Sequence, residues 1–175
     1  MNDPHIVALI YGIEHDDSVD YEEAEPFVWE EPAFRLEVKD KKARFELKDH
    51  YAEESAARES IEEYIRVWEF DACLNKGPDS FKLRFDESEI EDRNPTPGVA
   101  CGRVSFRAGV PTISASGTCR VCKYPSPPLD LAISPDVQTM YDRYMNYRQG
   151  REPLSGMAFF CLTVLEDMAK LHYPA

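Results

Sequence analysis

The hydrophobic period of the chain changes near residue 53, and that change limits the fold more than any other feature. Before it, Phe34, Leu36 and Val38 alternate with charged residues, and after a short break at Asp40 and Lys41 so do Ala43, Phe45 and Leu47. Period-two alternation puts every second side chain on one face, so this stretch reads as an antiparallel hairpin with one buried and one wet face. Beyond residue 53, Ala57, Ile61, Tyr64, Ile65, Trp68 and Ala72 recur three or four apart and share one side of a helix. Gly77 and Pro78 stop that helix. At about 1.5 Å per residue it is roughly 35 Å long, enough to cross a sheet once.

The remaining segments extend the same plan. His5 to Ile13 is short, apolar and β-branched, and reads as a buried strand. An acidic, flexible stretch from Glu14 to Glu25 follows, and Pro26 and Pro32 punctuate what comes next. Phe81, Leu83 and Phe85 form a further strand, with Ser88 to Asp92 as the returning arm of a second hairpin. Two more strands are expected over 99–108 and 112–123, joined through Gly109, Val110 and Pro111. Residues 124–133 hold three prolines and read as a linker. Ser134 and Pro135 supply an N-cap and a first-turn proline for a helix that ends at Gly150. A last helix runs over about 155–172.

The expected fold is therefore a single α+β domain over 1–175. A mainly antiparallel sheet of six or seven strands is interrupted by one long amphipathic helix (1–123), and a helical hairpin follows the linker (134–175). A chain of 175 residues can bury a core of this size without a disulfide or metal staple. No apolar run reaches the roughly 18 residues of a membrane span, and residues 1–14 lack the basic start and small-residue cleavage site of a signal peptide. Cys73, Cys101, Cys119, Cys122 and Cys161 make an odd number, which fits reduced thiols in the cytoplasm better than a disulfide framework.

Charge argues against nucleic acid and anionic membrane as partners. The net charge is −13, and it is uneven: residues 1–98 carry −15 and residues 99–175 carry +2. Phosphate-rich surfaces are repelled by such a molecule at long range.

Catalytic and metal signals are sparse. Cys119 and Cys122 have metal-ligand spacing, and Cys101 could add a third thiolate. In an alternating strand, however, residues three apart face opposite ways and cannot share an ion, so no metal site and no cofactor are expected. Asp16 to Glu23 has the composition of a calcium loop, yet Tyr21 stands where the turn needs glycine and Phe27 where the closing Glu belongs. Glu37-Val38-Lys39 and Glu46-Leu47-Lys48 match the Glu-x-Lys pattern of metal-dependent nucleases, but alternation assigns those charges to the wet face. Asp49 beside His50 could orient an acid/base pair, but adjacent side chains on an extended backbone diverge. No nucleophile elbow and no phosphate-cradling glycine loop is present, and the catalytic residues are unknown.

Two features point instead to association. In the last helix the polar residues Thr163, Glu166, Asp167 and Lys170 form one narrow stripe, and the rest from Met157 to Leu171 is apolar or small. So broad an apolar surface needs a partner, in another subunit or in a continuation of the sequence. In the preceding helix Tyr141, Tyr144 and Arg148 share a face, with Arg151 just beyond. Tyrosine and arginine are over-represented at interface hot spots. The expectation is a non-enzymatic protein-interaction or self-assembly module, a homodimer or the binder of a partner protein. The alternative is a small divalent-metal-dependent hydrolase or nucleic-acid-processing enzyme with a carboxylate-rich cleft.

Overall fold

The structure is a computed structural model and describes residues 3–94, 123–128 and 133–172, with backbone alone for Leu171 and His172. The chain divides into two compact units, Met1–Leu129 and Asp130–Ala175. The strands expected over 99–108 and 112–123, and with them Cys101, Cys119 and Cys122, lie outside the described residues, Lys123 apart.

Among the described residues the first unit is one antiparallel sheet with one helix. Its strands are β1 (Pro4–Glu14), β2 (Phe27–Glu30), β3 (Phe34–Lys39), β4 (Lys42–Tyr51) and β5 (Lys82–Asp92), and α1 (Glu54–Lys76) lies between β4 and β5 in sequence. The sheet order is β2-β3-β4-β1-β5, and every neighbouring pair is antiparallel. The α+β class is as expected; the number of strands differs, with five among the described residues instead of six or seven.

Within 3–94 the number of strands is the five expected, but two local features change which they are; the other two expected strands lie outside the described residues. Residues 82–92 form one continuous strand against β1, not a hairpin. Tyr11 pairs with Phe85 and Ile10 with Glu87, which leaves Asp86 as an extra, bulged residue. A bulge shifts the phase of the alternation, and in sequence that shift looks like a turn. The second feature is β2, whose four residues sit between Pro26 and Pro32. An edge strand tolerates flanking prolines because one side of its backbone needs no strand partner.

Burial follows the two periodicities. Leu9, Phe34, Leu36, Val38, Ala43, Phe45 and Leu47 face α1, which covers them with Ala57, Ile61, Trp68 and Ala72. Tyr64 and Ile65 flank this contact. Each large apolar side chain fully buried here contributes about 1.5–3 kcal/mol. The opposite face carries ion pairs, two between strands, Arg44 with Glu89 at 2.7 Å and Lys48 with Glu30 at 3.5 Å, and one along β4, Arg44 with Glu46 at 3.2 Å. The Glu89 carboxyl is held below its usual range by the hydrogen bonds from Arg44. Partly exposed pairs of this kind contribute about 0–1 kcal/mol each, so the wet face fixes register more than it adds stability.

The acidic stretch after β1 is anchored, contrary to the flexible segment expected. Val19 and Tyr21 are buried, and the Tyr21 hydroxyl donates to the Ser80 carbonyl at 3.1 Å. Tyr124 stacks on Tyr21 with ring centroids 5.2 Å apart, and Trp68 Nε1 donates to the Pro125 carbonyl at 3.2 Å. Residues 123–128 thus have no regular structure but are held on the first unit. Tyr124 also serves the β3–β4 turn, where Asp40 (φ 52°) and Lys41 (φ 58°) take the left-handed conformation without glycine. Such residues cost on the order of 1 kcal/mol each. The Lys41 N–H donates to the Tyr124 hydroxyl at 3.0 Å, and the Lys41 carbonyl accepts from Ile13 at 2.8 Å.

Tyr124→Phe keeps the ring and removes that acceptor. It is expected to lower the unfolding free energy by about 1 kcal/mol in urea titrations with an unchanged m-value. An unchanged midpoint would show that the turn does not depend on Tyr124.

Candidate functional site

The second unit contains α2 (Pro135–Arg148) and α3 (Leu154–His172). Ser134 caps α2 as its residue type requires: its hydroxyl accepts from the Val137 N–H at 3.3 Å, and Pro135 occupies the first turn. Past the end of α2, Gly150 takes φ 70°, and its N–H donates to the Tyr147 carbonyl at 2.9 Å.

One arginine ties the hairpin together. Arg143 Nε donates to both Glu152 carboxylate oxygens, at 2.9 and 3.2 Å, and its guanidinium lies 4.4 Å from the centre of the Phe160 ring. A planar donor fork that pairs with a carboxylate and also stacks on an aromatic face is a role that lysine cannot fill. Gly156 makes room for this arrangement, since a Cβ there would meet Glu152 Oε1 at 3.3 Å. The Glu152 carboxylate thereby sits near the positive end of α3.

The apolar residues of α3 divide into two sets. Met157, Phe160, Cys161, Val164 and Met168 are half-buried on one side. On the other, Leu154, Phe159, Leu162 and Leu165 are 56%, 75%, 67% and 53% exposed. The polar residues between the two sets satisfy one another: Lys170 pairs with Glu166 at 2.9 Å and with Asp167 at 3.6 Å. α2 buries no residue. A helix with apolar residues on two sides and a single described helical neighbour leaves one of those sides uncovered among the described residues.

The residues singled out on α2 lie where the helical period puts them. Tyr141 and Tyr144 are half-buried and Arg148 exposed, within an arc of about 60° on α2, and Arg151 is exposed just past its end. No spacing in the sequence marks the Arg143–Glu152–Phe160 cluster, because the separation of nine positions between Arg143 and Glu152 includes a turn and obeys no helical period.

A second feature lies on the first unit. A groove of about 560 Å³ beside α1 is lined by Tyr11, Arg58, Glu59, Glu62, Arg66 and Glu69, among others. Burial raises the Glu69 carboxyl above its usual range, against the lowering effect of the Leu83 N–H, which it accepts at 2.7 Å. Burial likewise raises Tyr11, opposed by its hydrogen bond with Arg58. Arg58 lies 4.5 Å from the centre of the Phe85 ring, and Arg66 pairs with Glu62 at 3.2 Å. Glu69 was hidden in the sequence because a carboxylate between Trp68 and Phe70 reads as one more polar position on the helix.

The remaining candidates are accounted for by local partners. Asp16 Oδ1 accepts from the Ser18 N–H at 3.0 Å, and Asp20 Oδ1 from the Glu22 N–H at 2.8 Å, so both carboxylates close turns. Glu46 and Lys48 belong to the ion pairs of the wet face. Asp49 and His50 lie within β4. Among the described residues no group of three His, Cys, Asp or Glu side chains could hold a metal ion, and no helix is long and apolar enough to cross a membrane. The chain matches no family model, and searches of curated proteins and of solved structures give no match.

The raised Glu69 carboxyl sets a pH dependence. A folded pKa above the unfolded value of about 4.3 means that the folded state loses stability as pH rises through the folded pKa. Glu69→Gln keeps an acceptor for Leu83 and removes the charge. The variant is expected to be more stable than the parent at neutral pH, with the difference vanishing below about pH 4, in urea melts across pH. A less stable variant at neutral pH would contradict this account of the groove.

Proposed function

We propose that this protein is a non-enzymatic interaction module that associates through the outer face of α3. The observation that carries the reading is the exposure of Phe159, Leu162 and Leu165 on a helix whose opposite side is already packed. Soluble monomers rarely expose contiguous apolar patches beyond a few hundred Å², and larger ones mark interaction sites. Tyr141, Tyr144, Arg148 and Arg151 form a second, polar-tipped part of the surface, suited by residue type to an interface rim and its anchors. The first unit is the folded body that carries this surface. Its net acidity disfavours nucleic acid as the partner, and the odd number of cysteines supports a reducing, cytoplasmic setting.

A second reading is supported by the groove beside α1. There a desolvated carboxylate, Glu69, lies with Tyr11, Arg58 and Glu62, and these could serve a small hydrolase or nucleic-acid-processing enzyme in acid/base roles. It ranks below the first because Arg58 and Arg66 are engaged by neighbouring side chains and no metal cluster is formed by the described residues.

Leu162→Ser separates a binding face from a face buried within the fold. At high dilution the substitution is expected to change the unfolding free energy by no more than about 0.5 kcal/mol, as at any exposed site. A loss of about 2–5 kcal/mol would place Leu162 in a core and overturn the reading.

A further inference from the structure

Resting on the association reading above, we propose that the occupant of the outer α3 face is the same face of a second copy of this chain, packed antiparallel about a two-fold axis beside Thr163 and Val164. Ala158, Leu162, Leu165 and Ala169 follow one another at spacings of four, three and four residues, and this order reads the same in both directions. A two-fold axis requires that residue i meet residue j while j meets i. Antiparallel pairing about the centre of this stripe satisfies that requirement. It sets Leu162 against Leu165 of the second copy, and Ala158 against Ala169. The small residues at both ends let the helices approach, and the leucines fill the middle.

A parallel alignment would bring Glu166 level with its own counterpart, whereas the antiparallel one offsets the two by about five residues along the seam and opposes the two helix dipoles favourably. The 4-3-4 spacing is that of a left-handed helix seam, and two hairpins meeting in this way make a four-helix arrangement.

The area suits a weak dimer. Phe159, Leu162 and Leu165 with the two alanines present roughly 400 Å² per copy, so two copies bury on the order of 800 Å², the size of a transient interface. An interface of that size predicts a reversible dimer and not an obligate one.

The test is sedimentation equilibrium of the untagged full chain and three variants, with circular dichroism to confirm that each is folded. The parent is expected at twice 20.1 kDa. Leu162→Glu and Leu165→Lys, each alone, are expected to weaken association by about a hundredfold or more, since each buries an unpaired charge at the centre of the seam. The double variant L162E/L165K is expected to recover to within about tenfold of the parent, because antiparallel pairing sets the introduced carboxylate against the introduced ammonium at both ends of the axis. A parent that stays at 20.1 kDa throughout overturns the second copy as occupant, and leaves the binding face itself to the dilute Leu162→Ser measurement. A dimeric parent with a monomeric double variant overturns the antiparallel alignment alone.

Discussion

A five-stranded sheet has two faces, and among the described residues a single helix covers one of them. Everything else in the first unit follows from that limit. The face under α1 takes the apolar half of each alternating strand, and the other face must be charged and cross-paired to remain in water. One helix does not reach the whole covered face, so the aromatic residues Tyr21, Phe81 and Tyr124 close the space around Trp68 and the start of β2. The irregular segment 123–128 is held there by hydrogen bonds that its backbone could not find in solvent-free packing otherwise. In return, Tyr124 supports the strained turn between β3 and β4.

The second unit meets the opposite constraint. Its hairpin is clamped by Arg143 at one end, yet α2 buries no side chain and α3 keeps apolar residues on two sides. Short helical pairs gain most of their stability from tertiary packing of their apolar faces. On the reading proposed above, a hairpin that leaves four large apolar side chains exposed among the described residues gains stability from what it binds. The function proposed for the protein and the energetics of the hairpin have the same origin.

The elements defined by period were legible in the sequence. The β3–β4 hairpin, the side of α1 that packs and the cap at Ser134 required only spacing and residue type. What escaped depends on contacts remote in sequence. The bulge at Asp86 is visible only against β1, and Tyr124 becomes a core residue only through Tyr21, 103 residues earlier. Phe27–Glu30 is too short for alternation to distinguish it from a proline-bounded loop. For the candidate surface, the breadth of the apolar arc on α3 was visible in the sequence; the way α2 divides that arc into a packed and an exposed half was not, since it depends on the rotation of one helix against the other.

The central claim is that the two units owe their stability to different things: the first to its own core, the hairpin to association. Hydrogen–deuterium exchange read by mass spectrometry at two protein concentrations, a hundredfold apart, compares them in one sample. Amides of β1, β4 and α1 should be equally protected at both concentrations, while those of α2 and α3 should gain protection at the higher one by about the same hundredfold as association is populated. Equal protection of α3 at both concentrations would contradict the claim, because it would show that the hairpin needs no partner.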